Sequence, residues 1–221
     1  AHCHLVVVAA GGTPVTTYLR GDGDGWGGRP ASAPGWLTNS RCALLTSELT
    51  MAVVNGSLRV SVPVYLASAM DGSKQVFSRV YTQNLDSGWQ TSAAFTASGG
   101  AQAPLILGSS VAMNSGADAI VALQVWSRGG PTGATRVEML LGSNPSASNV
   151  CQMAYDVASQ TGYLRSEGGA WQSASSSGVV LSSNSCSSNQ LPSIERAGDG
   201  TIAVTFAFRP SAALSGNQNV Y

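Results

Sequence analysis

Charge is what this chain has least of. Only 10% of its 221 residues are Asp, Glu, Lys or Arg, and 11 basic side chains balance 11 acidic ones, where globular proteins carry about 25%. Without a basic excess there is no electrostatic footprint for a phosphate backbone, so nucleic acid is not expected as a partner. The same neutrality argues against an anionic membrane surface. Lysine is nearly missing, Lys74 standing alone beside ten arginines, a skew that fits coding bias or secreted composition and carries no functional reading. Histidine is confined to His2 and His4. No apolar run reaches the roughly 18 residues of a spanning helix and no leader-like segment is present, so the chain reads as a mature, soluble product without membrane insertion. Helical spacing of apolar residues is absent over any three turns.

Cysteine is sparse too. Cys3, Cys42, Cys151 and Cys186 lie in two well-separated pairs, and none forms a C-x-x-C, which argues against zinc or redox motifs. Two structural disulfides in an extracellular protein are expected; the alternative is four buried thiols in a reducing cytosol. Disorder is disfavoured, because five Trp, six Tyr, four Phe and a 43% hydrophobic content supply the apolar area that folding needs.

What is present is β pattern. Short apolar runs recur at Leu5–Ala10, Val15–Leu19, Leu49–Val54, Leu58–Leu66, Gln75–Thr82, Leu105–Leu107, Ala119–Trp126, Thr135–Leu141, Val150–Val157 and Thr201–Phe208. Turn signals separate them, among them Gly11-Gly12, Asp71-Gly72, Ser87-Gly88 and Gly198-Asp199-Gly200, the punctuation of antiparallel sheets. Asn55-Gly56-Ser57 is formally a glycosylation sequon, but Asn-Gly between two apolar runs reads first as a hairpin turn.

An internal repeat is visible. Tyr18-Leu19-Arg20 precedes Trp26, which lies eight residues after the tyrosine; Cys42 and, fourteen residues on, Gly56 follow. Tyr163-Leu164-Arg165, Trp171, Cys186 and Gly200 repeat the order and those two intervals. A third copy without cysteines places Arg79 and Tyr81 before Trp89, with the strand from Ala119 thirty residues later. Units of this kind bury their faces only by stacking, so the expectation is a single all-β domain over 1–221 with repeated units near 3–62, 63–126 and 151–208. Its antiparallel sheets would form a β-sandwich, a barrel or a small β-propeller with little or no helix. Four cysteines allow three connectivities; the repeat favours Cys3 with Cys42 and Cys151 with Cys186 without excluding the crossed pairings. Trp26, Trp89 and Trp171 read as corner packing residues or as exposed platforms for sugar rings.

Arg165-Ser166-Glu167-Gly168-Gly169-Ala170-Trp171, followed by Leu191-Pro192-Ser193-Ile194 and the Gly200 strand, resembles the Asp-box repeat of sialidase-like β-propellers. Arg20-Gly21-Asp22-Gly23-Asp24-Gly25-Trp26 resembles it more distantly. The resemblance implies propeller-like architecture and no assigned family.

Catalytic chemistry finds little to work with. A triad would need His2 or His4 at the frayed terminus, and no G-x-S-x-G elbow or phosphate loop accompanies them. His2-Cys3-His4 reads as adventitious metal capture or a cloning remnant. Glu138, Glu167, Glu195, Asp118 and Asp156 show no pairing by spacing that would suit a glycosidase. Asp22 and Asp24 in a glycine-rich turn lack the third carboxylate of a calcium loop. Arg20-Gly21-Asp22 is also an RGD tripeptide on a turn, a motif common by chance in a glycine-rich chain. No enzyme activity, cofactor or metal is therefore expected. The expected function is extracellular binding or attachment to a glycan or cell-surface receptor through Trp26, Trp89, Trp171, Arg20, Arg79, Arg165, Asp22, Asp86 and Glu167. Beside it stands a structural surface protein, such as a virus capsid projection or spike domain or a filament or surface-layer subunit, self-associating by strand addition at Leu214–Tyr221 or Ala1–Ala10. A carbohydrate-active hydrolase is third.

Overall fold

A computed structural model describes residues 2–99, 102–113 and 118–221. The fold is all-β, with antiparallel strands throughout and one-turn 3-10 segments at Thr46–Glu48, Ser68–Met70 and Gly130–Thr132. The chain divides into two compact units, Ala1–Ala103 and Pro104–Tyr221. The middle segment of the expected repeat, 63–126, runs from one into the other.

The first unit contains β1 (Leu5–Ala10), β2 (Thr13–Arg20), β3 (Trp26–Pro30), β4 (Trp36–Thr38), β5 (Cys42–Leu45), β6 (Thr50–Val54), β7 (Ser57–Ser61), β8 (Tyr65–Leu66), β9 (Gly72–Ser78) and β10 (Gln90–Ala97). They pair as β1-β2-β3, β4-β5-β8, β6-β7 and β9-β10. Asn55-Gly56 makes the two-residue β6–β7 turn, with φ of 50° and 76°, the double positive φ of a type I′ hairpin that Asn-Gly tolerates. The run Leu58–Leu66 is interrupted rather than continuous, since Pro63 between β7 and β8 has no N–H to give a ladder. Gly28 is required where it stands: Tyr18 faces it across β2–β3, and a Cβ there would meet the tyrosine ring at 2.6 Å. The core is small, Leu19, Leu37, Cys42 and Leu44 with Leu5 and Leu66 against them.

The second unit contains β11 (Leu105–Met113), β12 (Ala119–Trp126), β13 (Arg136–Gly142), β14 (Cys151–Asp156), β15 (Thr161–Arg165), β16 (Trp171–Ala174), β17 (Leu181–Ser182), β18 (Cys186–Ser188), β19 (Ser193–Arg196), β20 (Thr201–Pro210) and β21 (Asn219–Val220). One sheet runs β11-β12-β20-β18-β17 with β19 also on β20; the other runs β16-β15-β14-β13-β21. Alternate residues of β12 and β20, such as Val121, Leu123, Val204 and Phe206, share one core with Met139 and Leu141 of β13 and Met153 of β14. That is the packing of a two-layer sandwich, each strand turning every second side chain inward. Among the described residues the sheets do not close into a barrel, and their strand numbers of six, five, three, three, two and two differ from the equal four-stranded blades of a propeller.

Cys3 is bonded to Cys42 and Cys151 to Cys186, so the local connectivity is the one formed. Each half-cystine at 42 and 186 sits in the same kind of turn. Asn39 Oδ1 accepts from the Arg41 and Cys42 amides, and Ser183 Oγ accepts from those of Ser185 and Cys186. Asn39 is buried and also donates Nδ2 to the Arg20 carbonyl at 2.8 Å. Asn39→Ala removes the side-chain partner of a buried amide, a part-buried amide and a part-buried carbonyl, and should cost about 1–3 kcal/mol, measured as the loss of unfolding free energy in urea.

Candidate functional site

The ladders place the repeated tryptophans by the same rule. Arg20 faces Trp26 across β2–β3, and Arg165 faces Trp171 across β15–β16. Trp89 is presented differently. It lies ten positions after Arg79, with a Tyr81–Asp86 bridge inside the loop and Gln90 paired to Ser78, and the Ala119 strand counted in its repeat belongs to the other unit.

In the first unit these parts converge on His4. The disulfide at Cys3 pins the start of β1, and the His4 carbonyl accepts the Arg20 amide at 3.0 Å. The His4 ring meets Trp26 edge-on at 4.9 Å between centroids and Trp89 at 5.4 Å. Both indoles remain about half exposed, Trp26 at 46% and Trp89 at 51%. Arg79 fixes the loop that carries Trp89. Its Nε donates to Asp86 Oδ1 at 2.8 Å, its NH2 is bonded to Asp86 Oδ2, and its guanidinium lies 4.8 Å from the Tyr81 ring and 5.9 Å from the Trp89 ring. The Gly88 amide also donates to Asp86. The Arg79 hydrogen bonds, helped by that amide, hold the Asp86 carboxyl down at about 2 and push Arg79 up. The pair therefore stays ionised through mild acid. Half-exposed aromatic faces beside a fixed guanidinium and carboxylate suit a neutral, hydroxyl-rich ring, which presents apolar C–H faces and polar edges together.

Burial, with His2 and Arg20 adding like charge, lowers the His4 pKa. A lowered histidine favours the neutral form in the fold, so its contribution is complete above the unfolded pKa of about 6.5 and is lost as pH falls through the lower folded value. We expect tryptophan emission to be flat above that range and to change below it, as the charged imidazole forms against the two indoles, and His4→Gln to abolish the step. An unaltered step in the variant would mean that His4 does not sit between them.

Arg20 pairs with Asp24 at 2.9 Å, and Asp22 accepts from the amide and hydroxyl of Ser40 at 2.8 and 2.6 Å. The carboxylates of the RGD turn are thus tied to the protein itself. Glu167 is bonded in the same way to the Asn184 amide, while Arg165 donates to Gln152 at 2.9 Å and to the Gly169 carbonyl. Both turns border shallow depressions. One of about 390 Å³ is lined by Gln152, Arg165, Glu167 and the 145–148 loop, and one of about 180 Å³ by His2, Arg20, Asp22, Asp24, Asn39 and Arg41. Neither includes a tryptophan. Trp171 is only partly exposed, with Tyr163 at its edge and the Arg136 guanidinium 4.8 Å from its ring, itself bonded to Glu138 at 2.7 Å.

Of the residues read from sequence, Trp26, Trp89, Arg79 and Asp86 come together in one unit with Arg20 beside them. Trp171, Arg165 and Glu167 lie in the other, and Asp22 and Glu167 act as tethers of their turns. His4 and Tyr81 in the first cluster and Arg136 in the second were not among the expected site residues. The signal for His4 was its place next to Cys3, since a disulfide removes the fraying that otherwise disqualifies a terminus. Among the described residues no group of three His, Cys, Asp or Glu side chains is placed to hold a metal ion.

The fold and site together define an all-β protein with two disulfides and an exposed aromatic cluster on its first unit. No protein-family model, curated protein or solved structure matches the chain.

Proposed function

We propose that this is an extracellular binding or attachment protein without enzymatic activity, which recognises glycans through Trp26, His4, Trp89 and the Arg79–Asp86 pair. The observation that carries the reading is the convergence of two indoles, distant in sequence and both half exposed, on one histidine ring. Burying such surfaces is what aromatic side chains ordinarily do; left open beside fixed polar groups, they favour a ligand. Two disulfides suit an oxidising, extracellular setting. The test is a titration of tryptophan fluorescence with a panel of neutral mono- and oligosaccharides, with mass followed by light scattering. A saturable change from a discrete species supports the reading; no change with any sugar overturns it.

A second reading, a structural surface subunit such as a capsid projection or filament protomer, is favoured by a separate observation. The β6–β7 and β9–β10 hairpins are exposed along nearly their whole length and carry Val53, Val54, Leu58, Phe77 and Phe95 outward. High-mass polymer in the same light-scattering record would favour it.

A further inference from the structure

We infer that the first unit is an incomplete copy of the second, and that its open strand β7 accepts strand β10 of a second copy of this chain. The correspondence rests on ladder registers. Leu5, Val6 and Val7 face Leu19, Tyr18 and Thr17 as Met153, Ala154 and Tyr155 face Leu164, Tyr163 and Gly162. Across β4–β5, Leu37 faces Leu44 as Leu181 faces Ser188 across β17–β18; Cys42 faces Leu66 as Cys186 faces Pro210. The turn bonds agree as well: the amides of Ala67 and Met70 reach the carbonyls of Arg41 and Ala67 as those of Ser211 and Leu214 reach Ser185 and Ser211. From Leu37 to Met70 the partners differ by a constant 144 positions, as 37 to 181 and 66 to 210 show.

On this correspondence β7 matches the first half of β20. In the second unit β20 lies between β19 and β12, and its alternate residues are sealed. In the first unit β7 pairs only with β6 among the described residues, and its other edge carries no strand. The side chains differ too, because β20 also packs on the facing sheet through Met139, Leu141 and Met153. Leu58 is 52% exposed where its counterpart Ile202 is 2%, and Val60 is 43% exposed where Val204 is 0%. What covers the equivalent edge is thus known from the same molecule: an uncharged antiparallel strand of eight residues, β12.

One element of the chain is built to supply such a strand. The hairpin β9–β10 is a separate two-stranded sheet, exposed on almost every residue, and a lone hairpin of this kind is only marginally stable in water. Its outer strand β10, Gln-Thr-Ser-Ala-Ala-Phe-Thr-Ala, has eight residues, no charge and no proline. It therefore has no charge or proline to blunt its edge, and its one irregularity, a register shift between Thr91 and Ala93, lies near its start. Each chain carries one donor and one acceptor, and the inferred exchange is the reciprocal one, which uses both in a two-fold dimer. The inference stands independently of glycan binding.

The test is the mass of the intact chain by light scattering over a roughly hundredfold range of concentration, because dimerisation is a mass-action equilibrium. The expected result is a monomer–dimer transition. Val60→Lys spoils the acceptor and Phe95→Lys the donor; both side chains are largely exposed in the single chain, so each variant should fold, as circular dichroism will show, yet dimerise at least tenfold more weakly. Mixing the two variants leaves one intact donor–acceptor pair and should recover dimer beyond either alone. A monomer at every concentration, or a dimer indifferent to both substitutions, overturns the inference.

Discussion

Phe206→Ala is expected to destabilise the second unit by about 3–5 kcal/mol, the range for truncating a fully buried phenylalanine. The size follows from position. Phe206 is fully buried on β20, with β12 on one side and β19 close by on the other, and it packs in the core shared by both sheets. The strands around it are hydrogen-bonded on both edges, so the site cannot collapse into the space left, and the cavity adds to the lost transfer energy. Leu58→Ala on β7 is the control. Its side chain is mostly solvated and its loss should change stability by less than about 0.5 kcal/mol in the monomer. Calorimetry or urea unfolding at low protein concentration measures both, and equal effects would contradict the difference in packing between the two units.

Trp26→Ala and Trp89→Ala are expected to weaken glycan binding at least about tenfold each, the cost of about 1.4 kcal/mol or more that exposed aromatic anchors carry at binding sites. Folding should be unaffected, since both rings stand half in solvent and neither contributes to the small core of the first unit. The two losses should not add, because both indoles contact the same His4 ring and share one ligand surface. Trp171→Ala should leave that affinity unchanged: its ring lies in the other unit and is already covered by Arg136 and Tyr163. Equal losses from all three would point to general destabilisation, and no loss from Trp26 or Trp89 would remove the aromatic cluster as the binding surface. Asp86→Ala tests the same surface indirectly, by releasing the loop that Arg79 holds.

Much of the architecture is legible in the chain because its determinants are local. Short apolar runs mark Leu5–Ala10 and Ala119–Trp126 to the residue, Asn55-Gly56 specifies its turn through positive φ, and Arg20 faces Trp26 across β2–β3 as Arg165 faces Trp171 across β15–β16. Shorter strands such as Trp171–Ala174 and Cys186–Ser188 escape clear detection because serine, alanine and glutamine give no apolar period to read. The site was half legible. Trp26, Trp89, Arg79 and Asp86 carry visible chemistry, whereas the role of His4 depends on two rings that arrive from residues 26 and 89, and that of Asp22 on Ser40 eighteen positions away.

The amino-acid order by itself determined a charge-poor, net-neutral, antiparallel β protein, because strand formation, turn type and the scarcity of charge are properties of short stretches. Only the tertiary structure decided which apolar strands become core. Leu58 and Val60 follow the same alternation as Ile202 and Val204, yet one pair is open and the other sealed. Burial requires flanking strands and a facing sheet to exclude water, and whether those are present is a fact of three-dimensional packing that no local pattern contains.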